Sequence, residues 1–281
     1  MCHLYFYTRH YNKINILLIL TIICLFTAPV KAEFDPWLVI KQELFKSRAI
    51  IQDQNFVSLF IPDTVEDAAM VPVKIRLAAN AVANAQQLYL IIDRNPDPYA
   101  MQVEFKRAYT DKYEIGERLI STRVRLNEFS RVRAILETND GNLFMSEKFA
   151  LGSGGCSAPP ATDLQQALNN LGEIRFKTRR NDDIHKDWNE TIIMIRHPNF
   201  SGMQPGAGKD SEIIPANYIE KVEVMQDEDP LLVIHSGISI SENPVFRFSY
   251  GLNSDQVFSV KVADSENNIY EKEVLITHGN K

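Results

Sequence analysis

Short apolar runs in strict alternation recur along nearly the whole chain. In "VPVKIRLAA", Val71, Val73, Ile75 and Leu77 fall on one side, and Lys74 and Arg76 on the other. A side-chain period of two belongs to a strand with one buried face. "FVSLFIP", "QLYLIID", "YAMQVEF", "RLISTRVRL", "RVRAILE" and "NLFMSEKFAL" repeat the theme, and Asn139-Asp140-Gly141 is a strong hairpin turn before the last of them. Further on, "ETIIMIR", "IEKVEV", "PLLVIHSG", "FRFSYG" and "VFSVKVADSENNIYEKEVLI" continue it, the last as a hairpin turning at "DSENN". Many short strands at this spacing predict an all-β chain of antiparallel sandwiches.

Helical signals are few. Asp35 is placed to cap a short helix with Pro36 in its first position, and "WLVIKQELF" sets Trp37, Ile40, Leu44 and Phe45 near one face. "TDLQQALNNLG", from Thr162 to Gly172, reads as a second helix, with Thr162 and Gln165 at capping-box spacing and Gly172 as its stop.

Between the two β-rich stretches lies "GSGGCSAPPA", Gly152 to Ala161. It holds Cys156 among small residues and prolines, with no apolar period to bury it. The N-terminus sharpens the point. Arg9 and Lys13 precede an apolar run from Ile14 to Ala28, and "VKA" fits cleavage after Ala32. The run is shorter than the roughly 20 residues of a membrane span, so we read residues 1–32 as an export signal; an uncleaved anchor is the other reading. Cleavage removes Cys2 and Cys24 and leaves Cys156 alone. One thiol forms no internal disulfide, so it is either a reactive group or a link to another chain, such as a dimer through Cys156. A buried, inert cysteine is the competing reading. We expect exposure, with Gly152, Gly154 and Gly155 loosening the backbone. Ten residues span roughly 33 Å extended, so a loop tied at both ends would project about 16 Å.

Lys and Arg number 30 against 36 acids; the signal carries Arg9, Lys13 and Lys31 and no acid, which leaves 27 against 36. That balance argues against a nucleic-acid binder. His185, His197, His235 and His278 are not at metal-ligand spacing, and neither a phosphate loop nor a Gly-x-Ser-x-Gly elbow is present. His197 or His235 could serve a cysteine enzyme in space, but a nucleophile on so loose a stretch suits a carrier better than an enzyme. Arg175, Lys177 and Arg179 alternate, either as a basic face for an anionic group or as a solvated strand face.

With these residues in view, the chain resembles the sulfur-oxidation carrier family SoxYZ, its two subunits fused. The SoxY-like features are "DPW", "IPDTVEDAAMVPVKI", "LIIDRNPDP" and "GSGGC"; the SoxZ-like ones are "IRHPNFSGM", "IPANYIEKVEV" and "SGISISENPVFRFSYG". The resemblance implies two immunoglobulin-like β-sandwiches packed together: a SoxY-like one over 33–157, a linker with a short helix over 158–187, and a SoxZ-like one over 188–281. It implies a non-enzymatic periplasmic carrier with no separate cofactor. Cys156 would bear sulfur intermediates covalently, and Gly154 and Gly155 would give mobility. The implied partners are periplasmic sulfur-oxidation enzymes or quinoprotein dehydrogenases; the alternative is an assembly module for such a dehydrogenase. In the family the cysteine lies on a C-terminal tail, whereas here Cys156 is internal and Ser157 replaces the following glycine.

Overall fold

A computed structural model describes residues 34–111, 116–161, 169–180, 188–206, 212–251 and 254–277. The expected export signal, most of the expected 162–172 helix, His185 and His278 lie outside the described residues. The chain from Pro36 onward forms one compact unit.

Its elements in order are α1 (Pro36–Phe45), β1 (Ile50–Gln52), β2 (Val57–Phe60), β3 (Val71–Leu77), α2 (Ala79–Val82), β4 (Ala85–Ile92), β5 (Tyr99–Phe105), α3 (Arg107–Thr110), β6 (Arg118–Val124), β7 (Ser130–Thr138) and β8 (Leu143–Ala150). The second half adds β9 (Ile174–Arg180), β10 (Trp188–Ile195), β11 (Ile219–Gln226), β12 (Asp229–Ser236), β13 (Val245–Gly251), β14 (Gln256–Asp264) and β15 (Ile269–Ile276). The fold is all-β, in two facing sheets, with the short N-terminal helix.

The alternation read from sequence is realised as burial. In β3, Val71, Val73, Ile75 and Leu77 are buried while Lys74 is exposed, and β11 and β14 follow the same rhythm. Gly141 takes φ 81° in the β7–β8 turn, donating to the Thr138 carbonyl at 2.8 Å. At the last hairpin Asp264 organises the turn, accepting from the backbone of Glu266 and Asn268, both at 2.9 Å.

The two halves share their sheets. One nine-stranded sheet runs β1-β8-β7-β4-β5-β12-β11-β14-β15, and one six-stranded sheet runs β2-β3-β6-β13-β10-β9. The joints are antiparallel: β5 meets β12 from Met101↔Ser236 to Phe105↔Leu232, and β6 meets β13 at Ile120↔Phe248 and Ser121↔Arg247. Side chains of both halves fill one core, with Leu88, Val103, Leu136, Val224, Phe248 and Val260 all at most 1% exposed. Pairing removes two pairs of sheet edges that would otherwise expose unsatisfied backbone groups.

Helix α1 lies against the nine-stranded sheet. Trp37, Ile40 and Phe45 pack on Ile91, Ile135, Leu143 and Met145, while Leu44 stays partly exposed. The Arg133 guanidinium sits 4.1 Å from the Trp37 ring centroid and is paired with Asp93 at 2.8 Å. A buried cation held by a carboxylate and a ring face fixes the helix's seat.

Candidate functional site

Strand β8 ends at Ala150, and the chain then crosses a strap formed by residues 63–65. Leu151 donates to the Asp63 carbonyl at 2.9 Å and accepts from Val65 at 3.2 Å. This leads to a tight turn in which Ser157 donates to the Gly154 carbonyl at 3.2 Å, with Gly155 and Cys156 as its central pair.

The expected loose loop is therefore corrected. The backbone of Gly154 donates to Asn127 at 2.9 Å and that of Gly155 to Leu126 at 2.8 Å. From the second half, the Ser201 hydroxyl donates to the Cys156 carbonyl at 2.5 Å, and the Gln204 amide to the Ala158 carbonyl at 3.1 Å. Glu242 accepts from the Ala161 amide at 2.9 Å. Donors and acceptors far away in sequence hold a segment that looks soft in isolation.

Gly155 and Gly152 serve close approach, and Gly154 serves the backbone angle. A Cβ on Gly155 would lie 2.0 Å from the Ala68 carbonyl oxygen and 2.9 Å from that of Leu126. Gly154 takes φ 77°, which L side chains rarely adopt, with open space around it. A Cβ on Gly152 would press on Leu126 and Val65 at 3.1 and 3.2 Å.

The expected exposure of Cys156 is also corrected: its relative exposure is 0%. Ser153, Gly154 and Ser157 around it are exposed, so the thiol faces inward from a turn at the surface. Burial pushes its pKa up to about 11; the Arg125 guanidinium pulls it down, and the Asp97 carboxylate adds to the rise. A thiol at about 11 is neutral at physiological pH.

Arg125 is the candidate site residue that sequence reasoning missed. It follows the last residue of β6, is 2% exposed, and donates to the carbonyls of Ile238, at 3.0 Å, and Ile240. Burial lowers its pKa, while Cys156 and Glu242 oppose that shift. Its carbonyl accepts from Asn95 at 2.8 Å, which also reaches Ser239 at 2.8 Å. The signal in sequence was faint: one arginine between Val124 and Leu126, both fully buried. A cation kept in low dielectric beside a thiol is placed to favour negative charge there.

The histidines lie elsewhere. His197 is buried, its Nδ1 accepting from the Asn199 amide at 3.0 Å and its Nε2 3.5 Å from Asp264; burial lowers its pKa. His235 meets Glu104 at 3.1 Å on the outer side of the nine-stranded sheet. The charged groups that act on the thiol are Arg125 and Asp97.

Two family descriptions match. Residues 41–156 match SoxY, a sulfur oxidation protein, and residues 176–275 match SoxZ, a sulphur oxidation protein. The first match ends on Cys156. No curated protein matches. Among solved structures, the sulfur carrier protein SoxY from Chlorobium limicola f thiosulfatophilum is 15% identical, covering 41% of this chain and 89% of that one, with a TM-score of 0.32. Fibronectin(III)-like modules of Clostridium thermocellum CbhA are 8% identical, covering 78% of this chain and 93% of theirs, with a TM-score of 0.20. With both matches in one polypeptide, the chain belongs to the SoxY and SoxZ sulfur-oxidation families as a fusion of the two.

Proposed function

We propose that this protein is a periplasmic covalent carrier of sulfur intermediates on Cys156, which partner enzymes load and process. The observation that supports this most is the setting of the thiol. Cys156 closes the SoxY match, sits on a surface turn clasped by both halves, and shares its burial with the cation Arg125.

At rest the thiol is neutral and hidden, which protects it from adventitious oxidation. The hydrogen bonds holding the turn each contribute about 1 kcal/mol, so a partner that replaces a few of them can lift the turn out. Once in water the thiol regains its ordinary pKa of about 9. Joining the outer sulfur of thiosulfate to Sγ forms one S–S bond, releases the thiol proton, and passes two electrons to an acceptor supplied by the partner oxidoreductase. An anionic adduct returning to the closed turn would meet Arg125. The compartment rests on the export signal read at residues 1–32; among the described residues no helix is long and apolar enough to cross a membrane.

Intact mass of the protein after incubation in periplasmic extract tests this. With thiosulfate, adducts should appear that map to Cys156 and vanish on reduction. A thiol that stays bare in extract, although it alkylates freely in urea, would overturn the carrier. One observation favours a second reading, an assembly module for a periplasmic quinoprotein dehydrogenase: the resting thiol is fully buried and protonated. On that reading Cys156→Ala leaves partner activity unchanged, whereas the carrier loses it.

A further inference from the structure

The outer face of the six-stranded sheet is strongly basic in a chain whose net charge is −6. One cross-strand row runs through both halves: Phe60, Lys74, Ser121, Arg247, Ile192 and Lys177 are successive register partners. Their neighbours along the strands are buried core residues, among them Val73, Ile75, Phe246, Phe248 and Ile193, so this row points outward. On the edge strand β9, Ile174 and Phe176 turn into the core, which leaves Arg175, Lys177 and Arg179 exposed on the same outward side. Arg123, on β6, adds to it.

Some of this charge is already balanced. Glu190 pairs with Arg247, Glu173 with Arg175 at 2.7 Å, and Glu117 with Arg76 at 3.1 Å. Lys74, Lys177 and Arg179 have no carboxylate within ion-pair distance among the described residues. Lys74 instead lies over the Phe60 ring, 5.9 Å from its centroid, and that ring is 50% exposed. A groove of about 640 Å³ opens here, lined by Phe60, Ile61, Lys74, Arg123, Lys148 and Arg247 among others. Its apolar floor, with Leu59, Ile61, Val73 and Ile192, and its polar rim follow the anatomy of a protein interface.

The groove adjoins the thiol turn on two sides. Asp63, at its margin, carries the carbonyl that receives Leu151, one residue before Gly152. Arg123 donates to the Asn243 carbonyl at 3.2 Å, beside the Glu242 that holds Ala161.

We propose that this face is a docking surface for an acidic protein partner, whose carboxylates meet Lys74, Lys177 and Arg179 while an apolar side chain covers Phe60. A partner seated there lies next to the segments that anchor the Cys156 turn. These exposed cations steer its approach and fix its register.

A probe peptide of glutamates with interspersed leucines, titrated into isotope-labelled protein and followed by amide NMR shifts, tests the surface independently of any chemistry at Cys156. Shifts should cluster on β3, β6, β13 and β9, fade at 1 M salt where screening reaches about 3 Å, and weaken at least tenfold in the exposed triple variant Lys74→Glu, Lys177→Glu, Arg179→Glu. A lysine-leucine peptide of equal length should leave these amides unmoved. Absent shifts, shifts on other strands, or equal binding by a triple variant of unchanged melting temperature would overturn the proposal. So would sedimentation showing that the unmodified chain self-associates through this face, since the occupant would then be a second copy.

Discussion

Burial of the Cys156 thiol has a consequence in pH. Its pKa rises from an ordinary 9.0 to about 11 in the closed turn. Below about pH 9 the folded and unfolded chains both keep the proton, and the group is silent. Between about 9 and 11 the unfolded chain loses it while the folded one retains it, so stability falls as pH rises. Two pH units correspond to about 2–3 kcal/mol. Urea unfolding at pH 8.5 and pH 11 should therefore show a drop about 2–3 kcal/mol smaller in Cys156→Ala than in the unmodified protein. Parallel pH profiles for the two chains would mean that the thiol is not buried as described. The same shift leaves about one thiol in ten thousand ionised at pH 7 in the closed state, so reaction has to pass through an opened turn. The position of this residue was legible in sequence because it stood alone. Its burial was not, because Arg125, Ser201 and Glu242 come from distant segments that only the folded chain brings to it.

The turn carrying that thiol is an element whose looseness was misjudged for a physical reason. Small residues lower the barrier to many conformations, yet they also permit contacts that larger ones forbid. Gly155 is the second case, since its Cβ would meet the Ala68 carbonyl oxygen at 2.0 Å. Gly155→Ala should push the turn off the Ala68–Leu126 backbone. The expected cost is about 1–3 kcal/mol in urea unfolding, as for other overpacked sites, with alkylation of Cys156 at least tenfold faster. Unchanged alkylation would show that the turn already opens freely. Ser201→Ala removes the hydrogen bond to the Cys156 carbonyl without adding bulk, and should speed alkylation several-fold at a cost of about 1 kcal/mol. Other elements were plain from local pattern alone. The alternation of β3, the Pro36 start of α1 and the Asn139-Asp140-Gly141 turn depend on neighbours within a few positions. The short helices α2 and α3, four residues each, carried no period to read.

At the scale of the whole molecule, sequence pattern indicates sandwich strands but not which strands lie at edges. β5 and β12 each alternate as an ordinary strand would, and nothing in either says that the other is its partner 131 residues away, the separation of Glu104 and His235. The shared sheets make the halves interdependent. Phe248 of β13 is 1% exposed, pairs in register with Ile120 of β6, and has its ring 6.0 Å from that of Tyr250. Phe248→Ala should cost about 3–5 kcal/mol, as for large buried aromatics elsewhere, and lower the melting temperature by roughly 10 °C in a chain of this size. If the two halves form one cooperative unit, the loss spreads across the joint. Hydrogen exchange should then show protection in β4 and β7 of the first half falling by the same free energy as in β11 and β14 of the second. Were β4 and β7 to keep full protection while β11 and β14 lost theirs, the halves would be separate folding units. The joints at β5–β12 and β6–β13 would then be contacts between domains, and a partner lifting the Cys156 turn could part them without unfolding either.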